Sequence, residues 1–375
     1  MNRIILIGNG FDLAHGLRTG YKNFIDYYWD NKINIFLQAY NTRNQIMRNI
    51  SPFNGDNYED DDFIINQVPR IINISFNSQP DKYGYEKMIY YIKSINENLD
   101  RRIKFNNNLL ENISIPSLNN WVDIEEIYYS ELIKDIKNVN KDEYIKSVIK
   151  LHEEFSKIQN ELEHYLTNII TEKPPKRNDI FYDHIYSDLL RKDFIDKYGN
   201  DEALENVLFI NFNYTSTIQL YINNEQINTQ LINIHGELNN DNNPIIFGYG
   251  DEIDDQYKSI EKINKNELFQ NIKSIKYSKN TNYRNILKFL ELHDDYQIFI
   301  FGHSCGLSDR TLLNTLFENE YCKSIKIFYY IDKNGDDNYL DTYMNITRNF
   351  NDKKKLRETV LPKELCVAYH DLSKC

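Results

Sequence analysis

Short apolar runs lie at both ends of the chain, whereas long segments with helical spacing fill its middle. The run at 3–7 is unalternating, which is typical of a strand buried on both faces of a parallel sheet. Further short runs follow position 205, and helical stretches separate several of them. Strands that alternate with helices predict an α/β domain with a mostly parallel sheet. These later runs lie at 207–210, 231–234, 245–247, 298–301, 325–331 and 366–369.

The clearest helical pattern lies at 144–169, where apolar residues recur at alternating steps of four and three. This spacing places them along one face of a long helix, and Pro174 and Pro175 predict where that helix stops. The apolar seam could pack against neighbouring helices of the same chain or mediate dimerisation. Its members are Tyr144, Val148, Leu151, Phe155, Ile158, Leu162, Tyr165 and Ile169.

Residues 36–204 are mostly helical in pattern, including the amphipathic segments 85–101 and 121–139. The polar stretch 41–80 is the best candidate for a loop. We therefore predict one α/β core interrupted by a large helical insertion. The predicted core comprises 1–35 and 205–375, and the predicted insertion comprises 36–204.

Composition narrows the classes of function. The formal net charge of -12 disfavours non-specific nucleic-acid binding, because an acidic surface repels phosphate backbones. Four scattered cysteines without a CxxC pair fit a reducing compartment and give no support to a zinc ribbon. The start lacks the features of a signal peptide, and no apolar stretch approaches the roughly 20 residues that span a bilayer. We therefore expect a cytoplasmic protein without a membrane partner.

Polar or glycine-bearing clusters follow five of the apolar runs immediately. In open parallel sheets, ligands bind outside the carboxyl ends of the strands, so these clusters should converge on one crevice. The clusters are Gly8-Asn9-Gly10-Phe11-Asp12, Asn211-Phe212-Asn213-Tyr214-Thr215, His235-Gly236-Glu237, Gly248-Tyr249-Gly250-Asp251-Glu252 and Gly302-His303-Ser304.

The first cluster favours a nucleotide. Gly8 and Gly10 allow a tight turn and a close approach of backbone to ligand, and a helix starting near Asp12 would point free N–H groups at a phosphate. Leu13 stands where the dinucleotide fingerprint has a third glycine, so the match is incomplete. The alternative is a plain strand-to-helix turn with Asp12 as its N-cap.

Two residues are candidates for catalysis. His235 follows a predicted buried strand, and an imidazole can accept a proton near neutral pH. Asn213 could orient a water or a ribose hydroxyl, although either residue could also be structural. His303 and Ser304 could contact a ribose or a phosphate. Asp309 is expected to cap a helix.

Two family resemblances add to this picture. The motif Ile7-Gly8-Asn9-Gly10-Phe11-Asp12-Leu13-Ala14-His15-Gly16-Leu17, followed by Thr19, Tyr21 and Phe24, resembles the opening of the AbiH family. That family is associated with abortive infection, a bacterial defence against phage. Later segments resemble its later motifs: Trp121-Val122-Asp123-Ile124-Glu125, Phe212-Asn213-Tyr214-Thr215, Ile234-His235-Gly236 and Gly302-His303-Ser304.

The order of motifs is also similar to that of sirtuin-like NAD-binding domains, which implies a Rossmann-like core and NAD as ligand or substrate. By that resemblance, Asn213 and His235 would act on the nicotinamide ribose. Thr215 replaces the usual acid, and the zinc-binding cysteines are missing, so protein deacetylation is not implied. The residues expected to contact the nucleotide are Gly8, Asn9, Gly10, Phe11, Asp12, Thr19, Tyr214, Thr215, Gly236, Gly302, His303 and Ser304.

The leading hypothesis is an NAD glycohydrolase of phage defence, activated by a phage-derived trigger or by assembly through the insertion. A second hypothesis is a sensor that binds NAD or ADP-ribose without catalysis. A third is a metal-dependent nuclease or nucleotide hydrolase, with magnesium held by Asp12, Asp123, Glu125 and Asp251.

Overall fold

A parallel sheet with the strand order β6-β5-β1-β7-β8-β9 organises the part of the chain that carries the predicted site. All of its neighbouring strands pair in parallel. The predicted α/β class with a Rossmann-like parallel sheet is therefore confirmed. The strands are β1 Asn2–Ile7, β5 Asn206–Asn211, β6 Asn228–Asn233, β7 Tyr296–Phe301, β8 Cys322–Tyr330 and β9 Val367–Tyr369.

The computed structural model describes residues 1–47, 56–68, 82–95, 103–114, 121–138, 144–195, 201–250, 252 and 254–369. The chain divides into two compact units. One comprises Met1–Thr19 and Leu166–Cys375, and the other comprises Gly20–Tyr165. The sequence placed the ends of the insertion at 36 and 204, whereas the division of the structure falls near 20 and 165.

Strand β1 is buried along its whole length because both faces of the sheet are covered. Ile4 and Leu6 pack in a cluster on one face, and Ile5 and Ile7 pack in a cluster on the other. This burial on both faces explains the unalternating apolar pattern of the strand. The helices of this unit are α1 Asn9–Ala14, α7 Asp179–Tyr186, α8 Asp255–Ile263, α9 Lys273–Lys276, α10 Asn282–Leu292, α11 Arg310–Phe317, α12 Tyr339–Asn349 and α13 Lys353–Thr359.

A buried polar network links β1, β7 and β8 of the sheet. Asp193 accepts hydrogen bonds from Lys326 at 2.7 Å and from Gln297 at 3.1 Å. Gln297 accepts in turn from Arg3 at 3.1 Å, and the Arg3 guanidinium also donates to two backbone carbonyls at 2.8 Å. Burial lowers the pKa of Arg3 to about 9. Buried charges of this kind are tolerated because each has a partner of opposite charge or a hydrogen-bonding group.

The second unit is mostly helical, with a small antiparallel sheet that the sequence did not predict. Its strands have the order β2-β3-β4, with bounds Asp56–Glu59, Phe63–Val68 and Ile103–Phe105. Its helices are α2 Tyr21–Met47, α3 Gly84–Ile95, α4 Asn108–Ser114 and α5 Trp121–Asn138. Helix α6, Tyr144–Glu172, begins in this unit and ends before the two prolines, as predicted.

The apolar seam of α6 is packed inside the chain. From Tyr144 to Tyr165 its members are buried, and Phe155 packs against Tyr128 of α5 with ring centroids 4.2 Å apart. The seam is therefore covered within the chain and does not form an exposed dimerisation surface.

Two other expectations need correction. Residues 245–247 are buried but form no strand: among the described residues, their one hydrogen bond to other backbone runs from the Ile246 N–H to the carbonyl of His235. The next residues, Gly248 and Tyr249, pack against Asn271 and Ile272. The stretch 41–80 is not one loop, because 41–47 continue α2 and 56–68 form the hairpin β2–β3. The rest of 41–80, apart from the turn between these two strands, lies outside the described residues.

Candidate functional site

The carboxyl ends of four strands lie side by side. Ile7 of β1 is in register with Asn211 of β5 and with Phe301 of β7, and Asn211 is in register with Asn233 of β6. The clusters after these strands therefore emerge at one edge of the sheet, as the sequence predicts. We call this edge the rim.

The glycines at the rim bring two loops into backbone contact. A Cβ on Gly8 would lie 2.4 Å from the Cα of His303, and one on Gly10 would lie 2.7 Å from the Cα of Gly302. Gly302 itself has a φ of +66°, which favours glycine. These glycines are therefore required for the packing of the β1 loop on the β7 loop.

The first helix does not present the amides that the sequence analysis expected. Helix α1 begins at Asn9 rather than near Asp12. The N–H groups of Gly8, Gly10 and Phe11 donate to the carbonyls of Phe301, Gly302 and Gly8, at 2.9–3.0 Å. Because these donors are already used, the glycine loop does not offer them to a phosphate.

Asp12 is a buried carboxylate on the α1 side of the rim. Its Oδ2 accepts a hydrogen bond of 2.6 Å from the hydroxyl of Thr215, and its buried Oδ1 has no hydrogen-bond partner among the described residues. Burial raises the pKa of Asp12 to about 6, against the lowering effect of Thr215. A buried oxygen without a protein partner is typical of a position that a water or a ligand completes.

Asn213 connects the loops after β1 and β5. Its side-chain amide donates to the carbonyl of Gly8 at 3.0 Å, and its backbone N–H donates to the side chain of Asn211 at 3.1 Å. Asn211 also donates to the carbonyl of Thr215, so Asn211 holds the turn. Among the described residues, none donates a hydrogen bond to the amide oxygen of Asn213, so this oxygen is left as an acceptor.

His235 belongs to a buried ionic cluster centred on Asp309. His235 Nε2 lies 3.0 Å from Asp309 Oδ1, and the Lys273 ammonium lies 3.0 Å from the same oxygen. The hydroxyl of Tyr277 is 3.2 Å from His235 Nε2. His303 approaches the other carboxylate oxygen, with its Nε2 3.5 Å from Oδ2. We call these residues the Asp309 cluster.

Charge within the cluster fixes its protonation. Burial opposes ionisation of Asp309, but Lys273 and His235 outweigh it and hold the pKa of this carboxyl well below its usual range. Burial, followed by the charge of Lys273, lowers the pKa of His235 to about 4. The imidazole of His235 is therefore neutral at neutral pH, and Asp309 favours the tautomer with its proton on Nε2. Nδ1 then carries the lone pair.

His303 is oriented in the same way. Its Nδ1 accepts from the backbone N–H of Cys305 at 3.0 Å, which places the ring N–H on Nε2, towards Asp309. The ring of Phe212 packs between the two histidines, 5.0 Å from His235 and 4.0 Å from His303. Burial raises the pKa of the Cys305 thiol, which fits the predicted packing role and not a nucleophile.

The remaining predicted residues take several positions. The hydroxyl of buried Thr19 donates to Asn9 at 2.6 Å. Gly236 has a φ of +87° and packs against the carbonyl of Pro244, so it serves the turn. The Ser304 side chain is exposed, and its backbone carbonyl accepts from Asn345 at 2.9 Å. Ser304 is thus apart from the buried groups of the rim.

The most charged part of the site was not predicted from the sequence. Lys273 and Tyr277 lie in and after a four-residue helix, and no local pattern marks them. Asp309 stands at the predicted N-cap of α11, but its side chain makes no capping hydrogen bond. A buried carboxylate at the rim needs a cation or an N–H donor as its partner, and this requirement is the one signal in the sequence that points to Lys273.

The described residues give the magnesium hypothesis little support. Among the described residues, no group of three or more His, Cys, Asp or Glu side chains is placed to hold a metal ion. Asp251 lies outside the described residues. Likewise, no described helix is both long enough and apolar enough to cross a membrane.

A parallel sheet covered on both faces, with polar loops meeting at the carboxyl ends of its strands, defines a Rossmann-like α/β protein. A family model described as bacteriophage abortive infection AbiH matches residues 4–331. The chain therefore belongs to the AbiH family, and this membership supports a role in abortive infection of phage-infected cells. No curated protein and no solved structure matches the chain.

Proposed function

We propose that this protein binds NAD at the rim and hydrolyses it to nicotinamide and ADP-ribose during abortive infection. The observation that carries the proposal is the convergence of Asn213 and the Asp309 cluster at the carboxyl ends of β1, β5 and β7. Rossmann-like sheets bind nucleotides at this edge. Loss of NAD would arrest the infected cell, which agrees with the family's role.

The reaction needs positioning and electrostatic support more than covalent catalysis. Water attacks the anomeric carbon of the nicotinamide ribose, the C–N bond breaks, and neutral nicotinamide leaves with the bonding pair. The attacking water loses one proton, which His235 Nδ1 would accept. The amide oxygen of Asn213 would orient the water.

Asp309 would act through His235 as a positioning residue. Its carboxylate holds the histidine in one tautomer and would stabilise the imidazolium that forms when the proton arrives. Lys273 keeps Asp309 ionised, because their charges lie 3.0 Å apart in a buried setting. This arrangement gives a neutral base at rest and a charged pair after proton transfer.

The phosphates of NAD would not bind at the glycine loop in the way the sequence analysis expected. The amides of Gly8, Gly10 and Phe11 donate to backbone carbonyls, so they cannot cradle the pyrophosphate without opening the loop. The proposal therefore places the nicotinamide ribose at the rim and assigns no phosphate contact to these amides.

The test uses two preparations of the protein, one purified from uninfected cells and one from phage-infected cells. Each is incubated with NAD, and the nicotinamide released is measured by chromatography. We expect release by the wild type and loss of release in His235→Ala. Asp309→Asn should reduce kcat with little change in KM, because Asp309 would not contact substrate. His164→Ala, at an exposed position of α6, is the control. Absence of nicotinamide release from both preparations would refute hydrolysis.

A second candidate function is a sensor that binds NAD or ADP-ribose without turnover. The state of His235 favours this function. The side chain is buried and its pKa is about 4, so the imidazole is a weak base. Calorimetry that shows binding of NAD without product, and the same affinity in His235→Ala, would support this function over hydrolysis.

A further inference from the structure

A second feature of the rim is a pocket beside the Asp309 cluster. Its walls are the last turns of α6 and the loops that follow β5 and β6, and its volume is about 230 Å³. Asn239 donates to the hydroxyl of Thr167 at 3.3 Å, which ties the β6 loop to the helix. We call this space the rim pocket.

Two wall residues of the rim pocket contact the buried groups His235 and Asp12, which do not themselves line it. Its wall residue Tyr214 has its ring centroid 6.5 Å from that of His235. Another wall residue, Thr215, donates its hydroxyl to Asp12 at 2.6 Å. A molecule in the pocket would therefore contact Tyr214, one ring away from the His235 to which we assign proton transfer.

Size limits what the rim pocket can hold. Pockets that enclose drug-sized ligands have volumes of roughly 300–1,000 Å³. A cavity of about 230 Å³ accommodates a base with its sugar and is too small for a whole dinucleotide. One end of a larger ligand would thus enter it.

The lining of the rim pocket determines which end of the ligand can enter it. Among the described residues, those that line the pocket include no Lys or Arg, whereas Glu237 contributes a carboxylate. One oxygen of Glu237 accepts from Asn243 at 3.0 Å, which fixes the side chain. Hydroxyl and amide side chains, among them Ser216 and Gln219, supply donors and acceptors for sugar hydroxyls. This lining disfavours phosphate and favours a cation that carries hydroxyl groups.

We propose that the rim pocket binds the nicotinamide riboside end of NAD, with the positive pyridinium ring near Glu237 and Tyr214. The inference rests on the proposed function and adds the substrate moiety and its charge. A cation over an aromatic ring and beside a carboxylate is stabilised by both. Since release of nicotinamide removes the positive charge, the product would be held less tightly than the substrate.

The experiment compares two probes of almost the same shape. Nicotinamide riboside is a cation, and its 1,4-dihydro form is uncharged. By calorimetry we expect the wild type to bind the cation about fivefold more tightly, since one partly exposed charge pair contributes about this factor. Glu237→Gln should abolish the preference, and Gln219→Glu should increase it. Glu225→Gln, at an exposed position outside the pocket, is the matched control.

Equal binding of the two probes by the wild type, or an unchanged preference in Glu237→Gln, would overturn the assignment. Tighter binding of adenosine than of nicotinamide riboside would overturn it as well. The two proposals fail separately. If NAD is hydrolysed while Glu237→Gln changes nothing, only the pocket assignment fails. If the charge preference is found without hydrolysis of NAD, the pocket assignment holds and the catalytic proposal fails.

Discussion

Asp12→Asn should make the stability of the protein respond differently to pH. Asp12 is fully buried, with a pKa of about 6 in the folded protein and 3.8 in its ordinary state. Between these values the folded state holds a proton that the unfolded chain has released. The contribution of Asp12 to the free energy of unfolding of the wild type therefore falls as pH rises from about 4 to about 6.

The size of the effect follows from the shift. A difference of about two pKa units corresponds to about 3 kcal/mol. Asparagine has nearly the same shape as aspartate and can still accept the hydrogen bond from Thr215, but it does not titrate. We therefore expect Asp12→Asn to gain about 3 kcal/mol relative to the wild type between pH 4 and pH 7. The lowered pKa of His235 affects both proteins equally and cancels in the difference.

Urea denaturation followed by far-ultraviolet circular dichroism, at constant ionic strength and at half-unit steps of pH, measures this difference. Asp241→Asn, at an exposed position, controls for the loss of one carboxyl group. A difference between Asp12→Asn and the wild type that stays constant from pH 4 to pH 7 would refute the reasoning. Asp12 would then have the same affinity for protons in both states.

Two further predictions concern stability. Asp193→Ala should lower the free energy of unfolding by about 3–5 kcal/mol, because it removes the carboxylate that lies 2.7 Å from buried Lys326. The double variant with Lys326→Met should recover part of this loss. Urea denaturation measures both free energies. Gly8→Ala should prevent normal folding, because its Cβ would lie 2.4 Å from the backbone of His303. The yield of soluble protein and near-ultraviolet circular dichroism measure whether the variant folds. Gly335→Ala is the matched control, since nothing lies within 4 Å of its Cβ position and its φ of +88° alone costs about 1–2 kcal/mol. Equal yields of the two glycine variants would contradict the steric argument.

The sheet could be predicted because its strands are buried on both faces. Such strands carry apolar side chains at every position, and this leaves a pattern that a single sequence shows. The run at 245–247 has the same composition but is buried as an irregular segment, with Gly248 packed on the carbonyl of Asn271. Burial alone therefore does not distinguish a short strand from a packed loop.

The position of the rim could also be predicted, but its ionic cluster could not. His235 was recognised from its place after a strand, whereas Lys273 and Asp309 meet it from distant parts of the sequence. Charged residues are common on surfaces, so a lysine that becomes buried beside its partner carries no local mark. The glycine loop is the opposite case, in which the sequence suggests a feature that the structure lacks. Its residues resemble a phosphate-binding turn, but its amides donate hydrogen bonds to backbone carbonyls.

The place of β1 in the sheet has a consequence for synthesis. Its two neighbours, β5 and β7, end at positions 211 and 301, so β1 is synthesised about 200 and 290 residues before the strands with which it pairs. Contacts this distant in sequence are formed late, because the entropy of closing a long loop is lost before the strands gain stability from pairing. The residues of the rim come together only when most of the polypeptide has been translated. A nascent or prematurely terminated chain would therefore lack the arrangement on which activity depends.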